Sequence, residues 1–252
     1  MLLGGVEVAR GVVGGGGVCF VFSGQGSQWL GMGRGLAGRF PVFGGVFDEV
    51  VGFFPGLREV VWGSDGGVLG GVGWAQLGLF AFEVALFRLW ESWGVVPDVV
   101  VGHSVGEVAA AYVAGVLSLG DACRLVSARA GLMEGLSGGG AMAVVRVSEE
   151  EVVSCLPEGV VVAAVNAPGS VVVAGEVSAV GVVMGRFAGS RLLDVGGAFH
   201  SPWVDPMLAG FGDALGGVVF SDPVIPVVSS VELGMDMATV DYWVSQVRRP
   251  VR

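Results

Sequence analysis

The segment from residue 97 to residue 112 limits the fold of this chain more than any other. Its apolar start, PDVVV, is followed by GHSVGE and then by VAAAY, which has the composition of a helix start. A strand, a tight Gly-x-Ser-x-Gly turn and a helix, in that order, are typical of a nucleophile elbow. Ser104 would then lie at the N-terminus of the helix, where backbone N–H groups stabilise developing negative charge. Without this context the pattern would indicate an ordinary turn; with it, we predict that Ser104 is a nucleophile.

The composition predicts a folded domain with an extensive core. Of the 252 residues, 53% are hydrophobic and 14% are charged, so the chain can hold one large core or a large and a small domain. The longest uncharged stretch, Gly11 to Gly33, is interrupted by serines and glutamines, and we find no clean apolar span of about 18 to 20 residues. The N-terminal residues do not form a signal peptide. We therefore expect a soluble cytoplasmic protein without a membrane partner.

Charge and cysteine content exclude several other classes. The net charge is −10 and every basic residue is an arginine, which argues against nucleic acids and anionic membranes as partners. The cysteines at positions 19, 123 and 155 are widely spaced and odd in number. We predict that they are buried free thiols, and neither a disulfide framework nor a metal site is indicated.

The order of predicted elements divides the chain. Residues 1–17 are glycine-rich and are interpreted as a linker. The predicted strands are Val18–Phe22, the elbow strand, Ala141–Val147, Val160–Val165, Ser170–Ala174 and Arg191–Val195; the predicted helices are Ala75–Trp93, Leu117–Leu136 with Ser118 as its cap, a short helix capped by Ser148, and Val177–Phe187. The β-α-β-β-α-β order within residues 138–195 predicts a small ferredoxin-like subdomain. It would be inserted between residues 18–137 and 196–252 of a large α/β subdomain.

A serine hydroxyl needs a base within hydrogen-bond reach at neutral pH. The chain has only two histidines, and His103 is adjacent to Ser104, so its side chain is expected to point to the opposite face. His200 is the remaining candidate, and it follows the last predicted strand of the small subdomain, where a cleft between subdomains is expected. The alternative is a solvent-facing loop histidine.

Several motifs together resemble the malonyl-type acyltransferases that load acyl carrier proteins in fatty acid and polyketide synthesis. The match is closest to the acyltransferase domain of a modular type I polyketide synthase and extends from Val18 to Arg252. The motifs are GQGSQW (24–29) with GMG (31–33), GHSVGE (102–107), AFHSP (198–202), YW (242–243) and RRPVR (248–252). The resemblance implies a large α/β-hydrolase-like subdomain with a parallel sheet. Because family members usually continue beyond the last motif, we expect the chain to be a domain of a longer polypeptide.

The resemblance also implies roles for individual residues. Ser104 would attack the thioester of an acyl-coenzyme A, and His200 would take its proton and later activate the phosphopantetheine thiol of an acyl carrier protein. The resulting acyl-serine intermediate would make the reaction ping-pong. Backbone N–H groups of Gln25 and Val105 would stabilise the oxyanion. No permanently bound cofactor and no metal is expected, and a neighbouring ketosynthase domain is the expected covalent partner.

Other positions of the family pattern are found here with differences. Arg129 matches the arginine that holds the free carboxylate of a malonyl group, although an arginine exposed on a helix is the alternative. The backbone carbonyl of Arg249 matches the group that orients the histidine, so that no aspartate is needed. Gln246 stands where asparagine is usual, which leaves this support open. Gln76 resembles a position near the pocket, but a polar core residue is an equal alternative.

The extender unit is predicted from the residues around the base. Methylmalonyl-selective domains tend to have Tyr-Ala-Ser-His, and malonyl-selective ones His-Ala-Phe-His with a small aliphatic residue after the serine. This chain has Gly197-Ala198-Phe199-His200 and Val105, and therefore resembles the malonyl-selective group. Phe199 would fill the space that an α-methyl branch needs. Gly197 departs from both patterns and is expected to leave a void, and Trp203 is also unusual.

Two other functions stay open on the sequence. A serine esterase or thioesterase would use the same nucleophile, but it would have no need of Arg129. A catalytically silent docking domain of a synthase would need neither, and intact Ser104, His200 and Arg129 argue against it.

Overall fold

The computed structural model describes residues 15–136, 139–231 and 235–252. The strands are β1 (Cys19–Phe22), β2 (Val99–Gly102), β3 (Gly140–Val145), β4 (Val161–Ala167), β5 (Ser170–Glu176), β6 (Arg191–Leu192) and β7 (Val227–Val228). The helices are α1 (Arg34–Arg39), α2 (Pro41–Val51), α3 (Leu57–Val61), α4 (Gly66–Gly70), α5 (Val72–Ser92), α6 (Gly106–Val113), α7 (Leu119–Glu134), α8 (Glu149–Val153), α9 (Val177–Arg186), α10 (Leu208–Ala214) and α11 (Val240–Arg248), with a 3-10 helix at Pro202–Met207. The fold is therefore a mixed α/β architecture.

A parallel sheet with the strand order β1-β2-β7 organises the larger part of the fold. Phe22 at the end of β1 pairs with Gly102 at the end of β2. The loop after β1 and the turn after β2 therefore leave the sheet side by side. The carboxyl ends of parallel strands are where such sheets bind ligands, and the turn after β2 contains Ser104.

The second sheet is antiparallel, with the order β4-β5-β3-β6. Its two faces differ because successive side chains of a strand point in opposite directions. Ala143 and Val145 of β3 pack in a separate hydrophobic cluster with Val152 of α8 and Val180 of α9. Met142, on the other face of β3, belongs to the main hydrophobic core. One face of this sheet is thus covered by its own helices, and the other lies against the larger part of the fold.

Most predicted elements are confirmed within a few residues. The elbow strand and its helix are present as β2 and α6, and Ser118 and Ser148 cap α7 and α8 through their hydroxyl groups. The last predicted strand, Arg191–Val195, ends at Leu192, because the ladder with β3 pairs residues 191 and 192. Helices α1 to α4 were not predicted from the sequence. Residues 1–14 of the predicted linker and the predicted boundary at 137/138 lie outside the described residues.

Two composition-based expectations need correction. Cys123 is buried as predicted, but Cys19 is exposed and Cys155 is half-buried, because Cys19 lies on the edge strand β1. Helix α5 is long and apolar enough to cross a membrane by length and composition, with a mean hydropathy of 1.3. The expectation that the chain has no apolar span of about 18 to 20 residues therefore missed this helix. In the fold, 72% of that window is buried, as in the core helix of a folded domain.

The two glycines of the elbow allow the close approach of strand and helix. A Cβ atom on Gly106 would lie 2.5 Å from the carbonyl oxygens of Phe22 and Ser23, and one on Gly102 would lie 2.3 Å from the backbone of Glu107. Backbone atoms at such distances must shift, and overpacking of this kind is destabilising.

We therefore expect Gly106→Ala to lower the melting temperature by at least about 5 °C. Gly131→Ala is the matched control, because Gly131 is exposed in α7 and, in the part of the chain that the structure describes, no heavy atom outside its local backbone lies within 4 Å of its added Cβ. Alanine is the better helix former there, so the melting temperature should stay the same or rise slightly. Differential scanning calorimetry of both variants is the measurement. Equal shifts for the two variants would contradict the close-packing argument.

Candidate active site

Ser104 occupies the strained turn between β2 and α6. Its φ angle is 53°, in the left-handed region that non-glycine residues rarely adopt. Such strain is found where the surrounding structure fixes a functional side chain. The turn places the Ser104 hydroxyl at the start of α6, which agrees with the predicted elbow geometry.

His200 and Ser104 are 96 positions apart in sequence, and their side chains are in contact. The Nε2 atom of His200 lies 2.7 Å from Oγ of Ser104. Its Nδ1 atom lies 2.8 Å from the backbone oxygen of Arg249. Since a carbonyl oxygen can only accept, Nδ1 carries the proton and Nε2 is left to accept the hydrogen bond from the Ser104 hydroxyl. His200 also has a positive φ angle, 56°, so both members of the pair lie on strained backbone.

Arg129 also contacts the Ser104 hydroxyl. Its Nη2 atom donates to Oγ of Ser104 at 2.8 Å, and Nη1 donates to Oε1 of Gln76. The residue is 3% exposed, so the alternative of an arginine on the exposed side of α7 is wrong. Gln76 is fully buried and orients this guanidinium. It is therefore both a polar core residue and a residue near the pocket, the two alternatives that its sequence position allowed. In the described part of the chain no carboxylate forms an ion pair with Arg129, and its Nε atom has no hydrogen-bond partner.

Burial sets the protonation of this group of residues. Desolvation by burial, and after it the positive charge of Arg129, lower the pKa of His200 to about 3. Burial also lowers the pKa of Arg129, to about 10, and the negative charge of Glu107 partly opposes this. At neutral pH the imidazole is therefore uncharged and able to accept a proton, while the guanidinium remains charged.

The pH dependence of acylation tests this assignment. We expect kcat/KM for the first, acylating half-reaction to stay flat from about pH 7.5 down to about pH 5, because this constant reports the free enzyme and His200 stays neutral there. A histidine with the ordinary pKa of about 6.5 would lose roughly 30-fold over that range. Rapid quenching with detection of the acylated chain by mass is the measurement. A fall with its midpoint near pH 6.5 would contradict the buried, neutral base.

The side chains lie at the bottom of a cleft of about 520 Å³. The cleft is formed by the loop after β1, the elbow, the segment around His200 and the inner face of the antiparallel sheet; lining residues include Gln25, Ser104, Val105, Arg129, Phe199 and His200. The structure thus brings the predicted site residues together, with one exception described below. The side-chain Nε2 of Gln25 is buried and has no hydrogen-bond partner among the described residues.

Gly197 lies outside the cleft, and the expected void beside it is filled. A Cβ atom on Gly197 would lie 2.2 Å from Cη2 of Trp203. The indole ring thus takes the volume that a side chain at position 197 would need. Gly197 and Trp203, the two unusual residues of this segment, therefore pack against each other.

A buried network around Glu107 was missed by the sequence analysis. The carboxylate accepts hydrogen bonds from the backbone and hydroxyl of Ser230, from the Tyr242 hydroxyl at 2.5 Å and from Nε2 of Gln246 at 3.1 Å. Nε2 of Gln246 also donates to the backbone oxygen of Ser104 at 2.8 Å. Gln246 therefore links α11 to the elbow. The sequence shows a glutamate directly after the elbow glycine but gives no sign that it is buried.

Glu83 is a second buried carboxyl that the sequence analysis left without a role. It accepts hydrogen bonds from the backbone N–H of Ser23 at 2.7 Å and from its hydroxyl at 2.8 Å. Burial raises the pKa of Glu83 to about 8, so the group is largely protonated at neutral pH. It anchors the start of the loop that contains Gln25.

The remaining candidates for acid–base or metal chemistry are not part of the Ser104–His200 pair. Against the expectation that its side chain points to the opposite face, His103 lines the same cleft as Ser104, but its Nε2 atom lies 3.1 Å from Oδ1 of Asn166. Asp121, in the first turn of α7, accepts a hydrogen bond from the Ser118 hydroxyl and pairs with Arg124. Among the described residues, no three histidine, cysteine, aspartate or glutamate side chains are grouped to hold a metal ion.

A serine on an elbow, hydrogen-bonded to a histidine at the edge of a parallel sheet, defines a class of α/β enzymes that act on acyl groups. Residues 19–252 match the family model described as the acyl transferase domain. The chain belongs to this family, and it is an enzyme domain of the acyltransferase class.

Relatives and solved structures are consistent with this membership. Polyketide synthase GfsA of Streptomyces halstedii is 52% identical over 264 residues, which cover 95% of this chain and 4% of that protein. The acyltransferase domain from the second module of the salinomycin polyketide synthase has a TM-score of 0.90 and 50% identity, over 94% of this chain and 58% of that one. Malonyl-CoA:acyl carrier protein transacylase (FabD) of Xanthomonas oryzae has a TM-score of 0.87 and 32% identity, over 94% of this chain and 81% of that one.

Proposed function

We propose that this domain transfers a malonyl group from coenzyme A to the phosphopantetheine thiol of an acyl carrier protein in polyketide synthesis. In the first half-reaction, Oγ of Ser104 attacks the thioester carbonyl carbon while Nε2 of His200 takes the hydroxyl proton. The C–S bond then breaks, and the coenzyme A sulfur leaves with that proton. In the second half-reaction, the carrier thiol gives its proton to His200 and attacks the acyl-serine ester. The C–O bond breaks, and Ser104 regains the proton.

The developing oxyanion is stabilised by backbone donors in this proposal. Gln25 and Val105 both line the cleft beside Ser104, and Val105 is at the start of α6. Donors aimed at the position of the developing charge are worth roughly 10²–10³-fold in rate each. The carbonyl of Arg249 maintains the tautomer of His200 in which Nε2 is the base.

The observation that carries the proposal is the buried guanidinium beside the nucleophile. A buried charge is normally paired, and Arg129 pairs with no carboxylate of the described residues. Its Nη2 atom is 2.8 Å from Oγ of Ser104, so a carboxylate bound to it must be close to the reacting carbonyl. A malonyl group has one methylene between its carboxylate and its thioester. The substrate that fits is therefore a short diacid monothioester, held by a bidentate pair.

Malonyl is proposed over methylmalonyl because bulky side chains surround the site of an α-branch. Phe199 lines the cleft next to His200 and is 7% exposed, and Val105 is 2% exposed. A methyl branch would compete with the Phe199 ring for space. Discrimination by one methyl group is worth about 1–3 kcal/mol, so we expect a preference and not an absolute exclusion.

The remaining parts of the proposal concern the subdomains and the surroundings of the domain. We assign residues 138–195 to a ferredoxin-like subdomain and residues 18–137 with 196–252 to a large α/β-hydrolase-like subdomain. The antiparallel strand order and the separate hydrophobic cluster support the first assignment. Coenzyme A thioesters, a carrier protein and a neighbouring ketosynthase domain are the proposed partners, without a metal or bound cofactor. The proposed location is the cytoplasm.

A two-step mass experiment tests the function. The protein is mixed with malonyl-CoA and its intact mass is measured; a carrier protein with its phosphopantetheine thiol is then added. We expect one malonyl group per chain, which moves to the carrier protein in the second step. Release of free malonate faster than transfer would instead indicate a thioesterase. No adduct with any acyl-CoA would indicate a silent docking domain, and either result would contradict the proposal.

A further inference from the structure

Two glycines make room for the indole ring of Trp203 behind the cleft. A Cβ atom on Gly197 would lie 2.2 Å from Cη2 and 2.5 Å from Cζ3 of that ring. A Cβ atom on Gly140, in β3, would lie 2.6 Å from the backbone nitrogen of Ala198 and 3.2 Å from Nε1 of the same ring. Because both glycines lack side chains, the indole can approach their backbone closely.

The ring of Trp203 supports the ring of Phe199. Their centroids are 5.5 Å apart and their planes make an angle of 81°, which is an edge-to-face contact. This geometry is one of the favoured arrangements of aromatic pairs and fixes the orientation of both rings. The described residues that line the cleft include Phe199 but not Trp203. Trp203 therefore acts on the cleft from behind.

A closed turn holds both rings relative to the catalytic histidine. The hydroxyl of Ser201 donates to the carbonyl oxygen of Ala198 and accepts from the backbone N–H of Trp203 at 3.2 Å. His200 lies inside this turn and is only 4% exposed. A change in the support of Phe199 can thus alter the space beside the base without removing the base.

We propose that Trp203 is a specificity-determining residue that positions Phe199 and so sets the room available to a substituent on the α-carbon of the acyl group. The inference rests on the proposed function and deepens it. Trp203 does not touch the reacting atoms; it prevents Phe199 from moving away from them. The carboxylate of the substrate is held by Arg129 and not by Phe199, so acylation by malonyl-CoA itself should be little affected.

Replacing Trp203 by leucine should shift the substrate preference. We expect the ratio of kcat/KM for methylmalonyl-CoA to that for malonyl-CoA to rise about tenfold, the lower end of what one methyl group is worth. Trp93→Leu is the matched control, because Trp93 is 51% exposed after the end of α5. It should leave the ratio unchanged. An unchanged ratio in Trp203→Leu, with normal acylation by malonyl-CoA, would overturn the inference.

A double-variant cycle tests whether Trp203 acts through Phe199. Phe199→Leu should raise the same ratio by itself, and adding Trp203→Leu should then give no further increase, because coupled residues are not additive. If the increase of the ratio in the double variant equals the product of the two single increases, Trp203 acts independently of Phe199. That result would overturn the positioning role.

The packing of the Trp203 ring into the space beside Gly197 can be tested by the melting temperature. Gly197→Ala should lower the melting temperature in the wild-type background and much less in the Trp203→Leu background. Equal losses in both backgrounds would contradict the packing on which the inference depends.

Failure of the proposed function and failure of the role of Trp203 give different results. If the wild-type chain forms no adduct with any acyl-CoA, the proposed function fails; if it forms the malonyl adduct and the variant ratios do not move, only the role of Trp203 fails.

Discussion

Replacing Ser104 with alanine is expected to abolish the acyl adduct. The alanine variant has no atom that can form the ester, and the next polar groups in the cleft are not at the position set by the elbow. We expect no mass increase after incubation with malonyl-CoA, under conditions in which the wild-type chain gains one malonyl group. The melting temperature should stay within a few degrees, because a methyl group in place of the hydroxymethyl group leaves the packing intact.

The control for this result is Ser154→Ala. Ser154 is exposed after the end of α8, and its hydroxyl donates to the backbone of that helix. The variant should form the adduct at the wild-type rate. An adduct that persists in Ser104→Ala would place the nucleophile elsewhere and would remove the basis of the proposed mechanism.

Replacing Arg129 with alanine is expected to lower kcat/KM for acylation by malonyl-CoA by about 10²-fold or more. Two hydrogen bonds to a charged group are lost, each worth about 1.5–3 kcal/mol. Acetyl-CoA, which has no carboxylate, should be used at the same rate or faster, since the variant no longer keeps an unpaired charge beside the acyl group. The ratio of the two substrates, measured by the mass of the acylated chain, is therefore the informative quantity.

Arg124→Ala provides the matched control on the same helix. The side chain of Arg124 is 68% exposed and pairs with Asp121. Its removal should therefore leave kcat/KM for acylation unchanged with both substrates. Equal losses for malonyl-CoA and acetyl-CoA in Arg129→Ala would mean that the guanidinium only supports the fold. The proposed substrate class would then lose its main argument.

The elbow was predictable from sequence because its determinants are local. Gly102 and Gly106 are required by contacts with residues a few positions away and with the end of β1. Both glycines are part of the Gly-x-Ser-x-Gly pattern, so the sequence shows them directly. The pairing of Ser104 with His200 was predictable for a different reason. With two histidines in the chain and one of them adjacent to the serine, elimination leaves a single base.

Other parts of the site depend on contacts that no local pattern encodes. Trp203 and Gly197 each look anomalous in sequence, and their mutual packing is visible only when the turn between them is folded. Glu107 is bound by groups that follow it by more than a hundred positions. Because a lone glutamate in a sequence is normally solvated, its burial could be inferred only from the three-dimensional arrangement.

The region from residue 34 to residue 70 shows the limit of periodicity arguments. It contains α1 to α4, none of which the sequence analysis predicted. These helices are short, and several contain glycine, which weakens both the apolar repeat and the helix propensity. Their stability comes from packing, as with Phe43 and Phe47, which are fully buried. Tertiary contacts therefore decide these elements.

Locating the malonyl group after a brief reaction with malonyl-CoA tests the whole account most directly. The quenched chain is digested and its peptides are analysed by mass spectrometry. The account predicts a single malonyl ester, on the peptide that contains Ser104 and on that side chain. A label on another residue, such as the thiol of Cys19 or Cys155, or no label on a folded chain, would contradict it.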